Sequence, residues 1–397
     1  WGWGGEARPR HQQWQVGDDY CGDPAQEEQG LNSVFLADAS TMTTVSDYAA
    51  FLSGNLTVRQ RAIARLRYLQ RRGIMFGHQD DPFYGLTWSG IEDPLRPERG
   101  RSDVLETCGD YPAVMGFDLG GIEMGDEKNL DSVPFTRIRE ELVAHAERGG
   151  IVTFSWHPRN PLTGGTAWDV NDTTVVRSIL PGGSQHAKFL LWMKRVATFL
   201  HSLKTDGGVP VPVIFRPWHE NCGSWFWWGE RLCSPGEFRA LWCMLQDYLT
   251  SEGFDNLVWS YSPNFDGHCT ESKILERYPG DSRVDLIGLD CYQWGREEDF
   301  VRDINHDLAA LSGFAAERGK LVALTECGLK NLSDPTWWTR VILPVVERHP
   351  LSYFHVWRNA KHEYFGPAPG EENAPYFNEM VSNEKVLMLK DITSGAW

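Results

Sequence analysis

The chain has 397 residues, 41% of them apolar and 23% charged, which is enough to bury a sizeable core and carries no sign of disorder. Its formal net charge of −16 disfavours a nucleic-acid partner, which needs a basic face to offset phosphate, and an anionic membrane surface for the same reason. No apolar run is long enough to span a membrane, whereas a neutral polymer meets no electrostatic objection.

The tryptophan count is 18, and indole faces suit the apolar C–H faces of sugars; about half of these rings are expected to fill the core instead. The sequence opens on Trp1 rather than Met, which reads as a processed or trimmed chain and, with it, a secreted or extracytoplasmic protein. The eight cysteines are widely spaced and match neither a small disulfide framework nor a zinc pattern. Sequons stand at Asn55, Asn171 and Asn331.

In chain order, residues 1–30 are polar and aperiodic and read as an N-terminal arm. Residues 31–397 read as one catalytic domain. The stretch 56–72 predicts a helix, with Ile63, Leu66 and Leu69 on its apolar face and arginines on the other. Eight apolar, β-branched runs follow, each ending in polar or aromatic residues and followed by a helical stretch. They begin at Ile74, Ala113, Ile151, Val213, Leu257, Asp285, Leu321 and Ser352. Eight such units predict a (β/α)8 TIM barrel rather than an open sheet, and no GxGxxG follows the first run. The wider gap over 158–212 predicts an extended loop after the third strand.

Active-site groups of such barrels gather at the C-terminal strand ends. His78, Asp118, His157, Glu220, Asn264, Tyr292, Glu326 and Trp357 are therefore expected on one rim. Glu220 ends the fourth run and Glu326 the seventh, so the two face each other across the mouth. Two carboxyl groups about 5–5.5 Å apart are the equipment of a retaining glycosidase. Trp218, Trp225, Trp227 and Trp228 are placed to desolvate Glu220 and raise its pKa. Read blandly, the two are surface glutamates among 54 acidic residues, yet both terminate apolar strands.

FRPWHENCGSWFWWG (215–229) and LVALTECGL (321–329) resemble the acid/base and nucleophile motifs of glycoside hydrolase family 26, the β-mannanases. FGHQDD, IVTFSWHPRNP, LVWSYSPN, IGLDCYQ and VWRNA fall in the expected order, so the resemblance covers roughly residues 70–360. It implies Glu220 as acid/base and Glu326 as nucleophile. His157 and His219 would sit at subsite −1, with Tyr292 on the nucleophile and Trp357 under the −1 sugar. Trp225 would lie near the leaving group, and Arg358 at the −2 mannose. It implies an endo-acting β-1,4-mannanase on mannan, glucomannan and galactomannan, with manno-oligosaccharides also bound. The expectation is a monomer needing no cofactor and no metal. An exo-acting mannobiohydrolase and a non-catalytic carbohydrate-binding protein are the other readings. Where relatives often carry small polar residues, this chain has Cys222 and Cys327, with Cys291 also at the rim. These are either inert buried thiols or a disulfide between two of them.

Overall fold

The computed structural model describes Gly54, residues 56–92 and residues 99–393. The expected arm at 1–30 and the Asn55 sequon lie outside them; Asn171 and Asn331 are both exposed. The first element is the helix Val58–Arg72. Thr57 caps it in a box with Gln60, each side chain accepting from the other residue's backbone N–H. Ile63, Leu66 and Leu69 pack with Met75, Ile214, Val258, Leu286 and Tyr353, so the apolar face closes the bottom of the barrel. The arginine face ties the helix to loops. Arg59 donates to both oxygens of Asp285 at 2.9 and 2.5 Å, and Arg65 reaches the Gly149 carbonyl at 2.6 Å.

Eight strands follow: β1 Ile74–Gln79, β2 Val114–Asp118, β3 Ile151–Ser155, β4 Val213–Arg216, β5 Leu257–Tyr261, β6 Leu286–Gln293, β7 Leu321–Leu329 and β8 Tyr353–Val356. They pair in parallel in chain order, and β1 pairs with β8, so the sheet closes into the expected (β/α)8 barrel. A short strand, Val386–Leu387, adds to the lower end of β1. The strands are buried on both faces because helices cover the outside, which is why they read as continuous apolar runs. Among the described residues seven tryptophans are fully buried: Trp156, Trp218, Trp227, Trp228, Trp242, Trp337 and Trp338. Among the described residues no helix is long and apolar enough to cross a membrane.

Three local features depart from the sequence reading. The 158–212 gap is not one loop. It holds helices Val175–Ile179 and His186–His201, the second burying Phe189, Trp192, Met193 and Val196 on one face. Strand β4 stops at Arg216, four residues before Glu220. Trp218 and Glu220 lie past its end with φ 57° and 52°, in the left-handed region that non-glycine residues rarely enter. The buried Trp218 ring packs on Trp156, Trp227 and Trp228, and that packing holds the turn against a strain of about 1–3 kcal/mol. Finally, Glu326 lies inside β7 rather than at its end. Leu324 pairs with Leu289 but Glu326 with Asp290, so Thr325 is an extra residue in a β-bulge. A bulge re-aims the side chain beside it.

Candidate active site

The turn after β4 and the bulge in β7 bring their glutamates together. One side-chain atom each of His219, Glu220, Asp290 and Glu326 lie within 4.8 Å of one another. The positive charge inside this group is Arg216, which is 2% exposed. Its Nη2 donates to Glu326 Oε1 and its Nη1 to Asp290 Oδ2 at 3.1 Å. Burial opposes a buried guanidinium, but Asp290 and then Glu326 outweigh it and hold Arg216 more basic than usual. The four side chains could surround a cation by distance alone; here the single guanidinium charge is shared between two of the carboxylates. Tyr292 donates its hydroxyl to Glu326 Oε2 at 3.0 Å, and burial followed by the Glu326 charge keeps the phenol well above its ordinary range.

Glu220 differs from its partner. Burial, then the Glu326 and Asp290 charges, push its pKa well above the ordinary carboxyl range. Trp225 works in the opposite direction, donating Nε1–H to Glu220 Oε2 at 2.6 Å. So Trp225 does not desolvate Glu220 in the way expected. Trp227 and Trp228 are buried behind the turn, and Trp228 binds the His219 carbonyl at 2.8 Å. Asn264, after β5, accepts from the Gly223 N–H at 3.0 Å and Ser262 from the Glu220 N–H at 2.9 Å, which fixes the backbone carrying the glutamate.

The two histidines form a relay. Burial alone would lower the pKa of His157, but Asp118 lies 2.6 Å from its Nδ1 and the net shift is upward. Asp118 also accepts from Ser155 at 2.6 Å and from the Gly120 N–H at 2.7 Å. His157 Nε2 is 3.2 Å from His219 Nε2. Burial, His157 and Arg216 push His219 well below its usual range. In that contact one Nε2 donates and the other accepts, so the two rings share a single proton between them. Trp168 stacks on His157, centroids 5.2 Å apart, and Trp357 stands edge-on to it at 6.2 Å.

Of the expected rim residues, Glu220, Glu326, His157, His219, Tyr292, Trp225 and Trp357 gather here. Arg358 does not touch the pair. Its Nη1 donates to Asp131 at 2.7 Å and to Tyr84 at 3.2 Å, and all three line an adjoining cavity of about 550 Å³ with Trp88, Lys128 and Lys361. His78 is buried against Asp81 at 2.7 Å. The sequence reading missed Arg216, Asp290, Trp168 and Asp131. For Arg216 and Asp290 the signal was present, a charged residue inside an apolar parallel strand. Cys222, Cys291 and Cys327 are free thiols rather than a disulfide pair, and burial raises all three, Cys222 to about 12.

The sequence model described as glycosyl hydrolase family 26 matches residues 56–363. The chain belongs to glycosyl hydrolase family 26. A second model, described as GH family 5 β-mannosidase-like, matches residues 1–55. Among solved structures of the family, a GH26 β-mannanase from Bacteroides ovatus superposes with a TM-score of 0.80 at 45% identity, over 84% of this chain and 95% of that one. The catalytic domain of a GH26 endo-β-1,4-mannanase from Bacillus sp. JAMB-750 gives 0.76 at 32% identity, over 85% and 92%. A mannan endo-1,4-β-mannosidase of Bifidobacterium adolescentis is 36% identical over 69% of this chain, and one of Thermothelomyces thermophilus 28% identical over 74%. The chain spans 27% and 53% of the lengths of those two relatives.

Proposed function

We propose that the chain is a retaining endo-β-1,4-mannanase that cuts internal bonds of mannan, glucomannan and galactomannan through a covalent mannosyl-enzyme. One observation carries this reading. Oxygens of Glu220 and Glu326 lie within 4.8 Å, close to the roughly 5–5.5 Å of retaining pairs and short of the roughly 6.5–9.5 Å that admits an inverting water. Glu326, held by Arg216 and Tyr292, attacks the anomeric carbon. The glycosidic C–O bond breaks as Glu220 gives its proton to the leaving oxygen. Glu220 then takes a proton from water, whose oxygen attacks the same carbon and frees Glu326. The raised Glu220 suits a group that must begin protonated.

The sugar is read from the mannanases to which the chain is similar. Endo action is read from the endo-β-1,4-mannanases to which the chain is similar, and the exposed Trp225 and Trp168 offer indole faces beside Glu220 and His157. A polymeric substrate also supports an extracytoplasmic site of action. The Arg358–Asp131–Tyr84 wall beside the hairpin Asn359–Ala360 and Glu363–Tyr364 favours mannobiose release as the second reading. The test is NMR of the first product anomer from mannohexaose, beside viscosity and reducing ends on galactomannan. A β-anomer with fast viscosity loss is expected. An α-anomer removes the retaining mechanism, and slow viscosity loss with mannobiose removes endo action. Glu326→Ala is expected to lose about 10⁴-fold or more in kcat while still binding oligosaccharide.

A further inference from the structure

Trp294 follows β6 directly and is 68% exposed, more than any other large apolar side chain among the described residues. A single exposed apolar side chain is ordinary on a protein surface, but this one is held in place. Its ring lies against Tyr292, centroids 5.2 Å apart and planes 22° from parallel. Phe365 meets both rings edge-on, Trp294 at 6.2 Å and Tyr292 at 5.5 Å. Phe365 is itself buried, and it fits there because residue 328 is glycine: a Cβ on Gly328 would lie 2.5 Å from its ring. The Asn359 side chain accepts from the Gly366 and Phe365 N–H groups at 2.7 and 3.3 Å and fixes that segment. On the strand side, Trp337 donates to Gln293 at 2.9 Å. The indole is thus braced on one face and one edge, and its other face is open.

The tyrosine beneath it donates to Glu326, so Trp294 continues the cleft by one ring from the nucleophile. An ordered aromatic face with little conformational freedom to lose is what a pyranose ring stacks on. We propose that Trp294 is a substrate-binding platform that takes the face of a backbone sugar outside subsite −1, and so sets the preference for longer chains. This rests on the reading of the chain as a β-1,4-mannanase. The competing role is mechanical, with Trp294 only shielding Tyr292.

The test is calorimetric binding of mannotriose through mannohexaose to Glu326→Ala, with and without Trp294→Ala or Trp294→Phe, and kcat/KM of the single variants on the same series. Loss of one stacking partner is expected to weaken mannohexaose binding ~2–10-fold and mannotriose binding less, with Trp294→Phe recovering part of it. Leu191→Ala, exposed on the outer helix His186–His201, serves as the control surface substitution. A loss equal at every length and confined to kcat means that Trp294 acts only through Tyr292, and overturns the proposal. Unchanged binding at every length also overturns it. The wild-type protein is run on cellohexaose and xylohexaose in parallel. If it prefers one of these, the mannanase reading falls while the same length series on that glycan still decides the platform. If it binds none of the three, both fall.

Discussion

Two carboxyl groups within 4.8 Å take different parts because their neighbours differ. Arg216 and Tyr292 both serve Glu326, while Glu220 has one tryptophan N–H and two nearby acids. Asp290 sits between these environments. Burial raises it and Arg216 opposes that, with a net position of about 7. Its charge is one cause of the upward shift of Glu220, so Asp290→Asn removes a repulsion that exists only where Asp290 is ionised, above about pH 7. Glu220 must be protonated to act, so its titration sets the alkaline limb of kcat/KM. The expected outcome for Asp290→Asn is an alkaline limb shifted to lower pH, with the acid limb moved less. A limb left where it was would mean that Asp290 does not act on Glu220. Arg216 and Asp290 carry the lesson of legibility here. Their residue type inside apolar strands was readable, but that both turn inward onto Glu326 was not, since strand parity is broken by the bulge at Thr325.

At the scale of elements, the site depends on two irregular pieces held by regular ones. The β7 bulge is pinned by Thr325, which donates to Asp290 at 2.6 Å. The turn after β4 is held from behind by buried indoles, and beyond it Ser234 and Glu237 form a capping box at the start of helix Pro235–Ser251. Two orphan N–H groups of that helix start are satisfied locally, at 3.1 and 3.0 Å. Ser234→Ala is expected to cost about 1 kcal/mol in a urea titration. It should leave KM near the wild-type value, because the cap is fourteen residues past Glu220 in sequence and touches no site residue. A large KM change would show the turn and helix to be coupled. The Ser234–Glu237 box is a local pattern of four residues. The left-handed Trp218 and Glu220 were not legible in sequence, because nothing local favours that backbone and only packing enforces it.

The whole molecule buries several carboxyls whose ionised forms it disfavours. Burial and then the Asp131 charge raise Asp80 to about 8, against the pull of its hydrogen bond from Tyr84. A carboxyl raised above its unfolded value of about 3.9 binds its proton more tightly when folded. Its contribution to stability is full below about pH 4 and is lost as pH rises through about 8. Asp80→Asn cannot ionise, still accepts from Tyr84, and tolerates the φ of 53° at this position. Thermal melts of the two proteins should therefore diverge with pH. The variant should gain at least about 1 kcal/mol over wild type between pH 5 and pH 9. A constant difference would mean that Asp80 stays ionised in the fold.

The sequence by itself determined the barrel, because eight apolar runs separated by helical stretches have one closed way to bury both faces of every strand. It also singled out Glu220 and Glu326 as the pair to expect at the rim, although one lies past its strand and the other within it. Only the tertiary structure decided which charges face that pair. The Arg216 bridge, the His157–His219 relay and the braced Trp294 each join residues far apart in the chain. Such contacts are set by the bulge, the strained turn and the packing beneath them, and these depend on three-dimensional neighbours that no local pattern records.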